Sequence, residues 1–198
     1  MKALCNWLRG HGHLTDNPIA GVDAPKVARR LLPAVTPEQM QTLLDTADNP
    51  RDRAVISLLF DSGLCLSEAA SIRTSDMDWH SNTLRVVVKG NREARAVFTD
   101  RTASLLREYL SSNGHSPTLF GVKAGAIQDT LSRLSKQVDF LCNPHAFRRS
   151  FACNLHKKGL STLTIMHLGR WSSLEMVARY TRSLTLDDCL KHYRAVLN

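Results

Sequence analysis

The pattern of apolar and polar residues divides the chain into helical segments separated by turn signals. The clearest start is Thr36-Pro37-Glu38-Gln39, where threonine stands at the N-cap, proline at the first helical position and glutamine at the third. This helix is predicted to run to about Ala47, and a second ends at Gly63. Helices are predicted over residues 1–12, 50–62, 66–73, 100–112, 125–138, 144–157, 161–168, 173–181 and 185–195.

Two short runs rich in β-branched residues interrupt the helices, at 84–88 and 94–98. The turn between them includes Lys89-Gly90-Asn91-Arg92, and such runs around a Gly-Asn turn predict an antiparallel hairpin. Residues 77–79 are expected to add a short strand. The fold class predicted from this order is α+β, mainly helical, with one small antiparallel β-sheet.

The first 35 residues form a separate region, because they hold one short helix and an extended stretch. Asn17-Pro18 is expected to turn the chain after the helix. Since a single helix has no core of its own, residues 1–21 are predicted to be the terminal helix of a preceding domain. Residues 22–35 are predicted to be a basic linker, and residues 36–198 the main domain.

Positive charge dominates the composition: 26 lysines and arginines face 18 acidic residues, and the formal net charge is +8. This excess favours an anionic partner, with nucleic acid first among the candidates, although a merely basic globular protein fits the charge equally well. Aromatic residues make up only 6% of the chain, which argues against a single-strand binder built on stacking platforms.

The five cysteines are scattered and form no C-x-x-C pair, so they predict neither a disulfide framework nor a zinc site. Reduced thiols of this kind fit a cytoplasmic protein. No apolar run approaches the roughly 18 residues that span a bilayer, and the first residues lack the apolar core of a signal peptide. No membrane partner is therefore expected.

The last third of the chain carries side chains suited to phosphate chemistry. His145 and Arg148 lie three residues apart on a predicted helix, so they share one face near its anion-binding start. Arginine can bind a phosphate bidentately, and histidine can donate a hydrogen bond to the same group. A tyrosine hydroxyl beside them, such as that of Tyr180, has the parts for covalent attack on phosphorus. Each residue alone more commonly serves as a surface charge or a half-buried aromatic.

The order His-x-x-Arg, Leu-Gly, Trp, Tyr over residues 145–180 resembles the catalytic end of the tyrosine recombinases, the integrase family of site-specific DNA recombinases. The resemblance covers residues 36–198 and implies the catalytic-domain fold of that family, preceded by a core-binding domain. It implies that Tyr180, nine residues after Trp171, is the nucleophile. It also implies that Arg148, His145 and Trp171 bind the non-bridging oxygens of the phosphate.

Two further residues take roles from the resemblance. Lys89 lies in a turn that is similar to the Gly-Lys-Gly-Asn-Lys turn of the family, which implies that it protonates the leaving 5′ oxygen as general acid. A turn lysine is otherwise usually just solvated. Glu68 matches the acidic position that supports the active site from behind.

The chain departs from the family pattern at Cys65. Residues 61–68 align with Thr-Gly-Leu-Arg-x-Ser-Glu, in which the arginine is the first of two phosphate clamps. Loss of one preorganised donor typically lowers a rate by about 10²–10³-fold, so impaired chemistry is predicted. The alternative is that a nearby arginine substitutes, with Arg73, Arg92 and Arg149 as candidates.

The implied reaction is cleavage and rejoining of duplex DNA through a 3′-phosphotyrosine intermediate, which requires no cofactor or metal. Self-association on DNA, with the C-terminal helix exchanged between protomers, and a nucleoid-associated location are further implications. Two alternatives stay open. One is an inactive integrase-like DNA-binding or regulatory protein that lost its chemistry through Cys65. The other is an enzyme similar to the type IB topoisomerases, against which the Leu-Gly-x-Trp run argues.

Overall fold

The computed structural model describes residues 1–23, 33–88, 90–112, 116–181 and 186–197. The chain separates into two compact units, residues 1–30 and 31–198. Most of the predicted linker, at positions 24–32, lies outside the described residues. The division of the chain into helix, linker and catalytic domain therefore stays a prediction.

The first unit contains one helix, α1 (Lys2–Gly10), which buries none of its residues. Trp7 remains 52% exposed and stacks on His11, with ring centroids 4.1 Å apart. Asn17 makes the predicted turn, because its side-chain oxygen accepts a hydrogen bond from the Ile19 backbone N–H at 3.0 Å. The exposed apolar side chains agree with the expectation that this helix has no core of its own.

The second unit begins with the predicted capping box. The Thr36 hydroxyl accepts from the Gln39 backbone N–H at 3.2 Å, and the Gln39 side chain accepts from the Thr36 backbone N–H at 3.0 Å. The helices of this unit in the described ranges are α2 (Pro37–Thr46), α3 (Pro50–Ser62), α4 (Leu66–Ser71), α5 (Asp100–Ser112), α6 (Ala124–Gln137), α7 (Pro144–Lys157), α8 (Thr162–Leu168), α9 (Leu174–Thr181) and α10 (Leu186–Leu197).

The sheet has three antiparallel strands in the order β1 (Met77–Asp78), β2 (Thr83–Val88) and β3 (Arg92–Val97). Leu84 pairs with Ala96 and both are buried, which places one face of the hairpin against the core. The alternation of buried and exposed residues along β2 has the two-residue period of a half-buried strand. The predicted mainly helical α+β fold with a small antiparallel sheet is confirmed.

The core is built around α3, which packs against α2, α5 and α7. Every residue from 54 to 59 in α3 is buried, so this helix is enclosed on nearly all sides. Phe147 is fully buried and anchors α7 in the same core. A smaller apolar cluster between α7, α8 and α9 contains Phe151, Ile165, Trp171 and Val177. This packing places the start of α7, the end of α3 and the loop after α8 beside one another.

In the described part of the chain, no helix combines the length and the apolarity needed to cross a bilayer.

Candidate active site

Helix α7 begins with a complete N-terminal cap that sets the position of its first turn. The side-chain oxygen of Asn143 accepts from the Ala146 backbone N–H at 2.8 Å, and Pro144 occupies the first helical position. His145 follows in the first turn and is exposed, while Arg148 lies one turn later and is half-buried. The two side chains therefore share the side of the helix that the sequence predicted.

The Arg148 guanidinium bridges two loops. Its Nη1 donates to the Gly63 carbonyl at the end of α3, and its Nη2 donates to the Gly169 carbonyl after α8 at 3.0 Å. Its Cζ lies 4.9 Å from the centroid of the Trp171 ring, within the range of a cation–π contact. Among the described residues, these contacts fix the orientation of the guanidinium and engage two of its five N–H donors.

Trp171 stands between Arg148 and Tyr180. Its ring centroid lies 5.2 Å from that of Tyr180 and 6.2 Å from that of Phe151, and only 5% of the residue is exposed. The indole Nε1–H is buried and finds no hydrogen-bond partner among the described residues. A Cβ atom at Gly169 would come within 2.2 Å of this ring, so glycine is required for the tryptophan to fold back. Packing and a free donor therefore coexist in one side chain.

The segment with the expected first arginine joins α3 to α4. Cys65 is the N-cap of α4 and is partly exposed, with its Sγ 3.2 Å from the Ser67 hydroxyl. The Glu68 carboxylate reaches back and accepts from the Cys65 backbone N–H at 3.0 Å, as the third residue of a helix often does. Glu68 is 8% exposed, so its charge requires a partner.

That partner is Arg170, whose Nη2 lies 3.6 Å from Glu68 Oε2. The Arg170 side chain is only 3% exposed, and its Nη1 and Nη2 donate to the carbonyls of Leu168 at 2.9 Å and Ser62 at 3.1 Å. Burial lowers the pKa of this guanidinium, and the charge of Glu68 opposes that shift. The Arg170 Nε–H is buried without a partner in the described structure.

The backbone of Arg170 is left-handed, with φ +58°. Its N–H bonds to the His167 carbonyl at 3.1 Å and the next N–H bonds to the Met166 carbonyl at 3.0 Å, which is the Schellman ending of α8. The position occupied by Arg170 is the one that glycine usually fills, and a side chain there costs roughly 1–2 kcal/mol. The site thus holds a buried charge on a strained backbone.

Residues 33–186 match the model of the phage integrase family. The chain belongs to this family. The tyrosine recombinase XerA of Saccharolobus solfataricus is 34% identical over 170 residues, which are 85% of this chain and 58% of that protein. The chain therefore spans less than two thirds of the length of this relative. The family resemblance found in the sequence is confirmed.

Solved structures with the same fold include two recombinases. A crystal structure of XerA recombinase superimposes with a TM-score of 0.75 at 18% identity, covering 91% of this chain and 69% of that one. The Tn1549 transposon integrase in complex with a circular intermediate DNA gives a TM-score of 0.74 at 17% identity, covering 98% and 76%. At this identity the likeness establishes the fold of the integrase-family chain and not its substrate.

Three arginines were predicted as possible substitutes for an arginine at position 65, and they lie away from the turn that contains this residue. Arg73 and Arg92 are exposed, the first before a 3₁₀ turn and the second at the start of β3. Arg149 is buried, but its Nε donates to the Pro33 carbonyl at 2.9 Å. The arginine that is paired with Glu68 and donates to the Ser62 carbonyl at the end of α3 is Arg170, which sequence reasoning missed. An arginine directly after the helix-ending Leu-Gly was the available signal.

Lys89, the predicted general acid, lies outside the described residues. Its neighbours Val88 and Gly90 are described, and they place the turn at the end of the β2–β3 hairpin. The role of Lys89 stays a prediction. The described residues bring together Arg148, Trp171 and Tyr180, with Glu68 and Cys65 on the adjoining turn and His145 on the exposed edge.

Proposed function

We propose that the domain over residues 36–198 is the catalytic domain of a tyrosine recombinase, which cleaves and rejoins duplex DNA through a 3′-phosphotyrosine intermediate. The observation that supports this most directly is the line from Arg148 across Trp171 to Tyr180, with 4.9 Å and 5.2 Å between neighbours. The Trp171 ring therefore contacts both the phosphate-binding arginine and the proposed nucleophile. Family membership supports the same reaction.

In the first step, the scissile phosphate binds to the free N–H donors of Arg148, to the unpartnered Trp171 indole N–H and to exposed His145. The Tyr180 hydroxyl releases its proton to solvent, and its oxygen forms a bond to phosphorus as the bond from phosphorus to the 5′ oxygen breaks. Lys89 gives a proton to that leaving oxygen. The donors hold the charge that grows on the non-bridging oxygens in the transition state.

The second step reverses the first with a new strand. A 5′ hydroxyl attacks the phosphotyrosine, loses its proton and releases the Tyr180 phenol. One phosphodiester is exchanged for another through the covalent link, so the reaction needs no nucleotide triphosphate and no cofactor.

Duplex DNA is the proposed partner, supported by the net charge of +8 and by the DNA-bound state of the Tn1549 integrase relative. Binding to chromosomal DNA would place the protein at the nucleoid. Helix α10 supports self-association on DNA, because Leu186 and Tyr193 are 74% and 63% exposed and leave an apolar stripe uncovered. We propose that this helix docks on a neighbouring protomer.

One alternative has a specific observation in its favour. Because the partly exposed side chain at residue 65 is a thiol and not a guanidinium, an inactive DNA-binding or regulatory protein of the same fold is the second candidate. Impairment by Cys65 stays a prediction.

The test is covalent capture of DNA. The full chain is incubated with a library of randomised duplexes that carry nicks, so that cleavage releases a short fragment and traps the protein on the DNA. Protein-linked DNA is recovered on a denaturing gel and sequenced, and the recovered sequence becomes a defined nicked substrate. We expect an adduct that Tyr180→Phe cannot form. DNA binding without an adduct would instead favour the inactive protein.

Strand exchange is measured separately with two labelled duplexes that contain the recovered site. A recombinase joins strands from different duplexes. A topoisomerase-like enzyme would relax a supercoiled plasmid that carries the site without joining the labelled duplexes, and this result would contradict the proposal.

A further inference from the structure

We infer that Arg170 is a positioning residue that takes over the structural and electrostatic role of the arginine missing at position 65. This inference rests on the proposed function. It explains how the chemistry can proceed although residue 65 is a cysteine, and it links Cys65 and Arg170 as one compensated pair.

Arg170 lies close to the turn that contains residue 65. Glu68 Oε2 accepts from the Cys65 backbone N–H at 3.0 Å and lies 3.6 Å from Arg170 Nη2. One carboxylate oxygen therefore contacts both residue 65 and the guanidinium of residue 170. The guanidinium of a residue that follows α8 therefore lies at the turn where the family pattern has an arginine of its own.

Arg148 and Arg170 bridge the same two parts of the chain. Arg148 donates to the carbonyls of Gly63 and Gly169, and Arg170 donates to the carbonyls of Ser62 and Leu168. Each guanidinium joins the end of α3 to the end of α8, one residue apart on both sides. Removing Arg170 would leave Arg148 as the remaining arginine bridge between these loops, and the phosphate-binding group would lose its second support.

The charges of Arg170 and Glu68 also affect Arg148. Arg148 and Arg170 are like charges that belong to one cluster, and Glu68 is the acid paired with Arg170. With Glu68 engaged by Arg170, the charge of Arg148 has no carboxylate partner among the described ion pairs, so it remains for phosphate. Without Arg170, Glu68 would be left buried without its counter-ion, and Arg148, the other arginine near Arg170, would be attracted to Glu68 and away from the phosphate.

Stability does not explain why an arginine occupies position 170. Arg170 has a left-handed backbone, a nearly fully buried charge and an Nε–H without a partner, and each of these costs free energy. Glycine would satisfy the same helix ending without any of them. A strained residue that persists under such costs is accounted for by a role in the site.

The experiment measures the rate of covalent adduct formation on the nicked duplex recovered by capture, with the full chain and five variants. Arg170→Gly and Arg170→Asn both fit a left-handed backbone and remove the charge. We expect each to lower the adduct rate by about 10²–10³-fold. Both variants leave Glu68 buried without its counter-ion, so the midpoint of thermal unfolding should fall to a similar extent in the two. The adduct rates are therefore compared well below both midpoints, where each variant is folded.

The decisive variants relocate the guanidinium. Cys65→Arg alone should not raise the rate, because it would add a third guanidinium to a cluster in which Arg148 and Arg170 already repel each other and Glu68 is already paired. Cys65→Arg combined with Arg170→Gly should recover the rate to within about tenfold of the unaltered chain, a coupling that independent sites would not show. A merely structural role for Arg170 predicts no such rescue. Arg101→Gln, which removes an exposed arginine on α5, is the matched charge control. Its rate of adduct formation should equal that of the unaltered chain.

The outcomes separate the two proposals. If the unaltered chain and Arg170→Gly form adduct equally fast, the role of Arg170 is refuted and the reaction stands. If only variants with Cys65→Arg form adduct, the chain is impaired by Cys65 and Arg170 does not compensate, while the family reaction again stands. If no variant forms a tyrosine-linked adduct with any captured DNA, the proposed function fails, and the inference that rests on it fails as well.

Discussion

Two helix ends meet at the site, and they use the same backbone conformation for opposite purposes. Helix α3 ends at Gly63 with φ +59°, and α8 is followed by Arg170 with φ +58°. Glycine is the residue that this conformation favours, and at Gly63 it is also required by space, since a Cβ atom would lie 2.8 Å from the Phe151 ring. Arg170 accepts the conformational cost and carries a charge to Glu68.

Of the two helix ends, only the end of α3 is explained by its contribution to stability. The end of α3 is enclosed by apolar packing and obeys the ordinary rule for a helix terminus. The end of α8 breaks that rule beside the proposed phosphate site. A buried ion pair is weak evidence for stability, because desolvation offsets much of the attraction. The following predictions test this contrast between a packing position and a functional position.

The largest effect is expected for Tyr180→Phe, which should abolish covalent attachment to DNA. Phenylalanine keeps the ring that packs 5.2 Å from Trp171, so both helix ends should remain as they are and the thermal midpoint should change little. Adduct on a denaturing gel and calorimetry measure the two quantities. An adduct that persists in this variant would show that another residue is the nucleophile.

Next in size is Arg148→Ala, which removes the bridge between the two helix ends. The rate of adduct formation should fall by about 10²–10³-fold. The unfolding free energy should fall by about 1–3 kcal/mol, because the buried carbonyls of Gly63 and Gly169 lose a charged donor. Urea unfolding with the same variant provides the stability. A full loss of folding would mean that the arginine is part of the core and would weaken the contrast.

A smaller effect is expected for Gly63→Ala, the counterpart of Arg170→Gly. It should lower the unfolding free energy by at least about 1–2 kcal/mol through the left-handed backbone, with the Phe151 contact adding to this. Gly90→Ala is the matched control in the same unit, since Gly90 also has a positive φ, +86°, but no described atom within 4 Å of the added Cβ. Equal losses in the two variants would contradict a role for packing at Gly63.

The smallest effect is expected for deletion of residues 184–198, which include α10. The stripe on this helix is largely exposed, and its described ion pair, Lys157 to Asp188 at 3.7 Å, is a surface pair worth about 0–1 kcal/mol. Stability of the monomer should therefore change little, while assembly on a DNA with two sites should weaken. Unfolding of the shortened protein would show that α10 belongs to the core.

Much of the fold was predictable because its signals are local. The Thr36 capping box, the Asn143-Pro144 helix start and the β-branched runs of the hairpin act within a few residues, and both helices begin at the predicted residue. The hairpin is also present, but β3 begins at Arg92, which was predicted to lie in the turn. The motif residues Arg148, Trp171 and Tyr180 were equally visible, since their spacing is a property of the chain. Their proximity then follows from the packing of α7, α8 and α9.

Local patterns along the chain were enough to predict the helices, the hairpin, the family and the candidate residues for phosphate chemistry. Which arginine pairs with Glu68 beside residue 65 became visible only in the folded protein. The partners of Arg170 at Ser62 and Glu68 lie about a hundred residues away along the chain. No periodicity or spacing relates positions so distant, and the burial that turns Arg170 from a surface charge into the counter-ion of Glu68 exists only after α3 and α8 have packed together.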